Sequence, residues 1–99
     1  MTNDFTNQRQ SERTDTGLKA MLKVNEDILK CGLCDISMGG AKLIVDQRFE
    51  RLSVCTLDLG AIGHINGEVM WSREGYTGLK FSGNETSISD IITIIAMNA

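Results

Sequence analysis

The chain has 99 residues, enough for one domain with a single modest core. Hydrophobic residues make up 41%, so it should fold, and ten glycines with no proline suit an all-β chain with many turns. A formal net charge of -3 argues against the broad basic face of a general nucleic-acid or membrane-surface binder, yet a few arginines would suffice for a small anion.

Residues 1–16 carry only Met1 and Phe5 as sizeable apolar groups and fit no period. We expect a tail, mobile when free. No apolar h-region opens the chain and no apolar run is long enough to span a bilayer, so a cytoplasmic protein without membrane insertion is expected. Its three cysteines, an odd number, are then expected to be reduced thiols.

From Leu18 a period of two begins. Leu18, Ala20, Leu22 and Val24 alternate with Lys19, Met21 and Lys23, the pattern of a half-buried strand. Asn25-Glu26-Asp27 reads as a turn. Leu29, Cys31 and Leu33 continue the alternation into Asp35, and Gly39-Gly40 precede Ala41, Leu43 and Val45. Asp46 to Arg51 is polar and reads as a loop. Three more strands follow: Val54 to Leu59, Ile65 to Trp71, and Tyr76 to Phe81, the last two joined by a turn at Arg73-Glu74-Gly75. The end changes period. Ile88, Ile91, Ile92, Ile95 and Ala96 fall on one face of a helix. Ser87 and Asp90 have capping-box spacing, with Asn84 as the alternative cap. β-branched isoleucines are mediocre helix formers, so this helix must be stabilised by docking. The expected fold is all-β: a six-stranded antiparallel barrel (residues 17–99) with a flexible N-terminal tail (residues 1–16) and one docked C-terminal helix.

Several chemistry-bearing patterns have plain structural explanations. Cys31 and Cys34 form a CxxC, but residues three apart on a strand face opposite ways, and Cys31 shares a face with Leu29 and Leu33. Buried thiols are favoured over zinc, and no metal or other cofactor is expected. Asp35, Ser37 and His64 have the residue types of a hydrolase triad, but no GxSxG surrounds Ser37, so no enzyme is expected. His64 reads as an exposed turn or strand-end residue. Trp71, the only tryptophan, shares the parity of Ile65 and Val69; core filling is its default, with packing against a ligand the minority role. Asp35-x-Ser37-x-x-Gly40 taken alone is a hairpin connection, with Gly39 and Gly40 supplying positive φ.

That last pattern gains weight from Arg9-x-x-x-Arg13, which precedes it by a strand, a turn and a second strand. RxxxR followed by DxSxxG at this separation resembles the PilZ domain family, whose members bind cyclic di-GMP. Gly67-x-Val69-x-Trp71 and Gly78-Leu79-Lys80-Phe81 resemble that family's late strands. The resemblance implies a barrel receptor with Arg9, Arg13, Asp35, Ser37 and Gly40 as ligand-binding residues, and Gln8, Gly39 and Trp71 as further contacts. Guanidinium forks would take guanine edges or phosphates, and the acid would accept from guanine N–H groups. The tail would close over a ligand resting on the barrel, and the new surface would signal to an unidentified downstream protein controlling motility, biofilm or a related process. The alternative is a barrel that binds no ligand and acts as a protein-interaction module. A single-stranded nucleic-acid barrel would need basic grooves and more aromatics than 5%.

Overall fold

The structure, a computed structural model, describes residues 14–98. Seven strands follow one another: β1 (Thr14–Asp15), β2 (Lys19–Val24), β3 (Asp27–Ile36), β4 (Gly40–Ile44), β5 (Val54–Asp58), β6 (His64–Arg73) and β7 (Tyr76–Phe81). A 3-10 turn at Gly60–Ile62 and a helix, α1 (Glu85–Asn98), complete the chain. All pairings are antiparallel in the order β3-β2-β5-β6-β7-β4, and β4 returns to pair with β3. This closes a six-stranded barrel, as the alternating pattern predicts. Closure leaves no long unpaired edge. The short β1 adds to the end of β3, within the stretch expected as tail.

The alternating residues line the interior. Leu22, Leu33, Leu43, Leu57 and Val69 are fully buried, and Ala20, Val24, Cys31, Ala41, Val45, Cys55, Leu59, Ile65, Leu79 and Phe81 complete the lining. Tight turns are made where left-handed backbone is accessible, at Asn25 (φ 56°) and at Glu74-Gly75 (φ 56° and 85°). The helix is capped by Asn84, whose Oδ1 accepts from the Ser87 N–H at 3.1 Å, and not by a Ser87–Asp90 box. Ile88, Ile91 and Ile95 are buried and Ile92 is half-buried, whereas Ala96 is exposed. The helix docks against the 3-10 turn, and a side chain at Gly63 would crowd the Ile91 methyl.

Two bulges interrupt the ladder. On β3, Leu33 pairs with Leu43 but Asp35 pairs with Lys42, so Cys34 is the extra residue. On β6, Val69 pairs with Leu79 but Trp71 pairs with Gly78, so Met70 is the extra residue. A bulge shifts the in–out alternation by one residue. Simple parity puts Asp35 inside with Cys31 and Leu33. The bulge instead buries Ile36 completely and leaves Asp35 half-exposed. Trp71 was expected to share the core face of Ile65 and Val69. The second bulge turns it outward, where it is half-buried.

Candidate ligand-binding site

Ser37, Met38, Gly39 and Gly40 close a tight β3–β4 hairpin. The Ser37 N–H donates to the Gly40 carbonyl at 2.8 Å and the Gly40 N–H returns to the Ser37 carbonyl at 3.3 Å. The Ser37 hydroxyl is buried and also donates to the Gly40 carbonyl, at 3.4 Å. The Gly39 carbonyl accepts from the Phe81 N–H at 2.9 Å, tying the tip to β7. Neither Gly39 nor Gly40 has the positive φ expected of it. Gly40 is required for a different reason: a Cβ there would collide with the Leu79 carbonyl. The close approach is of strand β7. Gly39 is open, with nothing within 4 Å of an added Cβ.

Pairing partners share a face of the sheet, so the register lays out a row on the barrel's outer surface. Asp35 pairs with Lys42, Lys42 with Gly78, and Gly78 with Trp71. From Asp35 to Trp71 the row spans three strand spacings, about 14 Å along the sheet. Its members differ in chemistry: an acid, a cation, a bare backbone and an indole. The Trp71 ring lies against Gly78, where a Cβ would collide with the indole nitrogen. The Arg73 guanidinium lies over the same ring, 5.0 Å from its centroid, and the Lys42 ammonium lies 4.7 Å from the Tyr76 ring centroid. Such a surface offers a flat aromatic wall for a base, a cation for a phosphate and an acid for base N–H donors.

Arg9, Arg13 and Gln8 lie outside the described residues. Thr14 pairs with Ile36, so the chain enters the barrel beside the hairpin. Thr16 secures this entry. Its N–H donates to the Cys34 carbonyl and its hydroxyl to the Leu33 carbonyl, both at 2.9 Å.

Other patterns are separate from this surface. His64 opens β6 opposite Asp58, exposed and three strands from β3 in either direction. Burial pushes the Cys31 and Cys55 thiols up to about 11, so at neutral pH they are inert core groups. Among the described residues no group of three or more His, Cys, Asp or Glu could hold a metal ion, and no helix is long and apolar enough to cross a membrane. Sequence reasoning missed Lys42 and Gly78. Lys42 was legible as the outward residue after the hairpin; Gly78 had no signal without the register.

The PilZ domain model matches residues 7–97. Comparison with curated proteins gives no match. Among solved structures, the chain is similar to the PilZ domain of CeSA from a cellulose-synthesizing bacterium, with a TM-score of 0.71, 14% identity and coverage of 89% of this chain and 98% of that one. It is similar to the PilZ domain of YcgR from Escherichia coli with c-di-GMP, at 0.67 and 16%, covering 91% and 92%. It also resembles PlzA from Borreliella burgdorferi in complex with c-di-GMP, at 0.66 and 24%, covering 88% of this chain but 42% of that one.

Proposed function

Because the chain belongs to the PilZ domain family, we propose that it is a receptor for cyclic di-GMP and not an enzyme. The observation that carries this reading is the outer row from Asp35 to Trp71, assembled by two bulges beside the point where residue 14 enters the sheet. Asp35 accepts from the N–H edge of one guanine. Trp71 over Gly78 stacks a base, and Ser37 and Gly40 hold the hairpin against which the ligand rests. The open tip at Gly39 admits the ligand backbone. Arg9 and Arg13, with Gln8 beside them, close from residues 1–16 onto the barrel of residues 17–99 and take phosphates or guanine O6 and N7. Two of the structures similar to this chain are complexes with c-di-GMP, which supports the ligand's identity. Each charged bidentate contact contributes about 1–3 kcal/mol, so a few contacts less the cost of ordering the tail give micromolar or better affinity.

Ordering of the tail is then the signal, passed to a downstream protein in a cytoplasmic pathway controlling motility, biofilm or a related surface process. Isothermal titration of the whole chain with cyclic di-GMP tests the first step and gives the stoichiometry. Heat of binding in the micromolar range is expected, and silence at several hundred micromolar ligand overturns the reading. Arg13→Ala should weaken binding at least tenfold with the apo melting curve unchanged.

A further inference from the structure

We propose that the groove between residues 46–53 and β6 docks an acidic segment of a partner protein, one that also carries aliphatic side chains. Every arginine among the described residues (Arg48, Arg51 and Arg73) lines one cavity there, of about 610 Å3. Phe49, Met70 and Trp71 provide its apolar lining.

The groove is built into the fold. The Leu52 N–H donates to the Val69 carbonyl at 2.6 Å, and the Val69 N–H donates to the Ser53 carbonyl at 2.9 Å. The Phe49 N–H donates to the Ser72 hydroxyl at 3.0 Å, and that hydroxyl lies 3.2 Å from the Thr77 hydroxyl. The loop is therefore fastened to β6 at Phe49 and at Leu52–Ser53, and Phe49 packs against the core. The three guanidinium groups have no ion pair with a described carboxylate. Of the acidic side chains, only Glu50 lines this cavity. Three arginines without a carboxylate partner among the described residues, on a chain of net charge -3, make this a locally basic face on an acidic protein, which steers and orients an acidic partner.

The lining decides the class of occupant. A bare phosphate gains nothing from Phe49 and Met70. A peptide with carboxylates and aliphatic side chains uses both, because arginine forks grip carboxylates bidentately and the apolar floor buries the aliphatic groups. Trp71 belongs both to this groove and to the outer row, with the Arg73 guanidinium stacked on it. A ligand on the row thus bears on the partner's anchor. This coupling, unlike the groove itself, rests on the cyclic di-GMP reading, and it must act in both directions.

The test is an NMR titration of the whole 15N-labelled chain with a synthetic decapeptide of glutamates and two leucines. Its glutamine-for-glutamate counterpart and inorganic triphosphate serve as separate probes. Backbone signals of Arg48–Arg51 and Met70–Arg73, with the Trp71 indole N–H, should shift with the acidic peptide and not with its glutamine counterpart. The double variant Arg48→Glu, Arg51→Glu, altered only on exposed loop positions, should bind the acidic peptide at least tenfold more weakly while keeping its remaining spectrum. No shifts at millimolar peptide, shifts elsewhere on the barrel, or equal affinity for triphosphate would each overturn the proposal. Repeating the titration with cyclic di-GMP present should change peptide affinity at least threefold, and an unchanged affinity overturns the coupling. A chain that takes the peptide but not cyclic di-GMP overturns the messenger reading and the coupling while upholding the groove.

Discussion

The bulges on β3 and β6 use one device to different visible effect. Each inserts a residue opposite a single partner, Lys42 for Cys34-Asp35 and Gly78 for Met70-Trp71. Each thereby turns the next side chain out onto the same cross-strand row. On β3 the shift separates unlike groups, sending an acid out and Ile36 in. The sequence signals it, because an acid stands where Cys31 and Leu33 lead one to expect an apolar residue. On β6 the shift falls between Val69, Met70 and Trp71, all apolar, and leaves no trace in the pattern. A bulge is thus readable only where it separates residues of opposite polarity. Where it separates similar ones, only the pairing register shows which residue faces outward.

The largest test of this comparison concerns the strands between the bulges. Gly40 sits against the backbone of β7, which cannot yield as a side-chain tip would. Gly40→Ala should destabilise the barrel by about 1–3 kcal/mol, the usual cost of forcing an extra group into a packed site. Gly39→Ala, in open space, should change stability by no more than about 0.5 kcal/mol. Urea denaturation of both variants checks this; equal losses would mean that the hairpin's glycines serve turn conformation and not strand contact.

Next comes ligand affinity at the two ends of the row. Asp35→Ala should weaken cyclic di-GMP binding at least tenfold with little change in melting temperature, since the side chain is half-exposed. Trp71→Ala should weaken it about fivefold or more, because base–aromatic stacking contributes about 1–3 kcal/mol. If Asp35→Ala binds normally, the β3 bulge serves barrel curvature alone. If only Trp71→Ala binds normally, the ligand stops short of β6.

Much of the fold was legible because strand alternation and the isoleucine stripe of α1 are local properties. Six strands and one helix follow from residues such as Leu22, Leu43, Ile91 and Ile95, each buried as its period requires. The candidate site was legible in its β3 half, where Asp35, Ser37 and Gly40 lie within six residues. The outward position of Trp71, the presence of Lys42 beside Asp35, and the bare floor at Gly78 are non-local. They depend on which strands meet and on where each ladder slips by one residue. The need for Gly40 was visible and its cause was not, because the colliding Leu79 carbonyl lies 39 positions along the chain.

A smaller effect should separate floor from wall. Gly78→Ala meets the Trp71 ring, which can swing aside, and not a fixed backbone. Its stability loss should therefore be below that of Gly40→Ala, under about 1 kcal/mol, while the fluorescence of the single tryptophan shifts to the red as the ring leaves the sheet. An unshifted emission maximum would mean that the ring rests elsewhere.

The last effect, absent at neutral pH, contrasts the thiols on either side of the β3 bulge. Cys31, before it, is buried with Cys55, whereas Cys34, the extra residue, is half-exposed. One thiol should therefore react with iodoacetamide in the native protein, slowly because burial also raises the Cys34 pKa, and three in denaturant. Alkali gives the complementary readout. Desolvation raises the Cys31 and Cys55 thiols from 9.0 to about 11. Between these values the unfolded chain has released protons that the native barrel retains, so rising pH favours unfolding. The stabilising term is fully present below pH 9 and lost by about pH 11. Urea midpoints should fall across this window, and less steeply in the Cys31→Ala, Cys55→Ala double variant, which lacks the buried thiols and is otherwise the same chain. Equal slopes in the two proteins would mean that these thiols ionise in the barrel as they do in the unfolded chain.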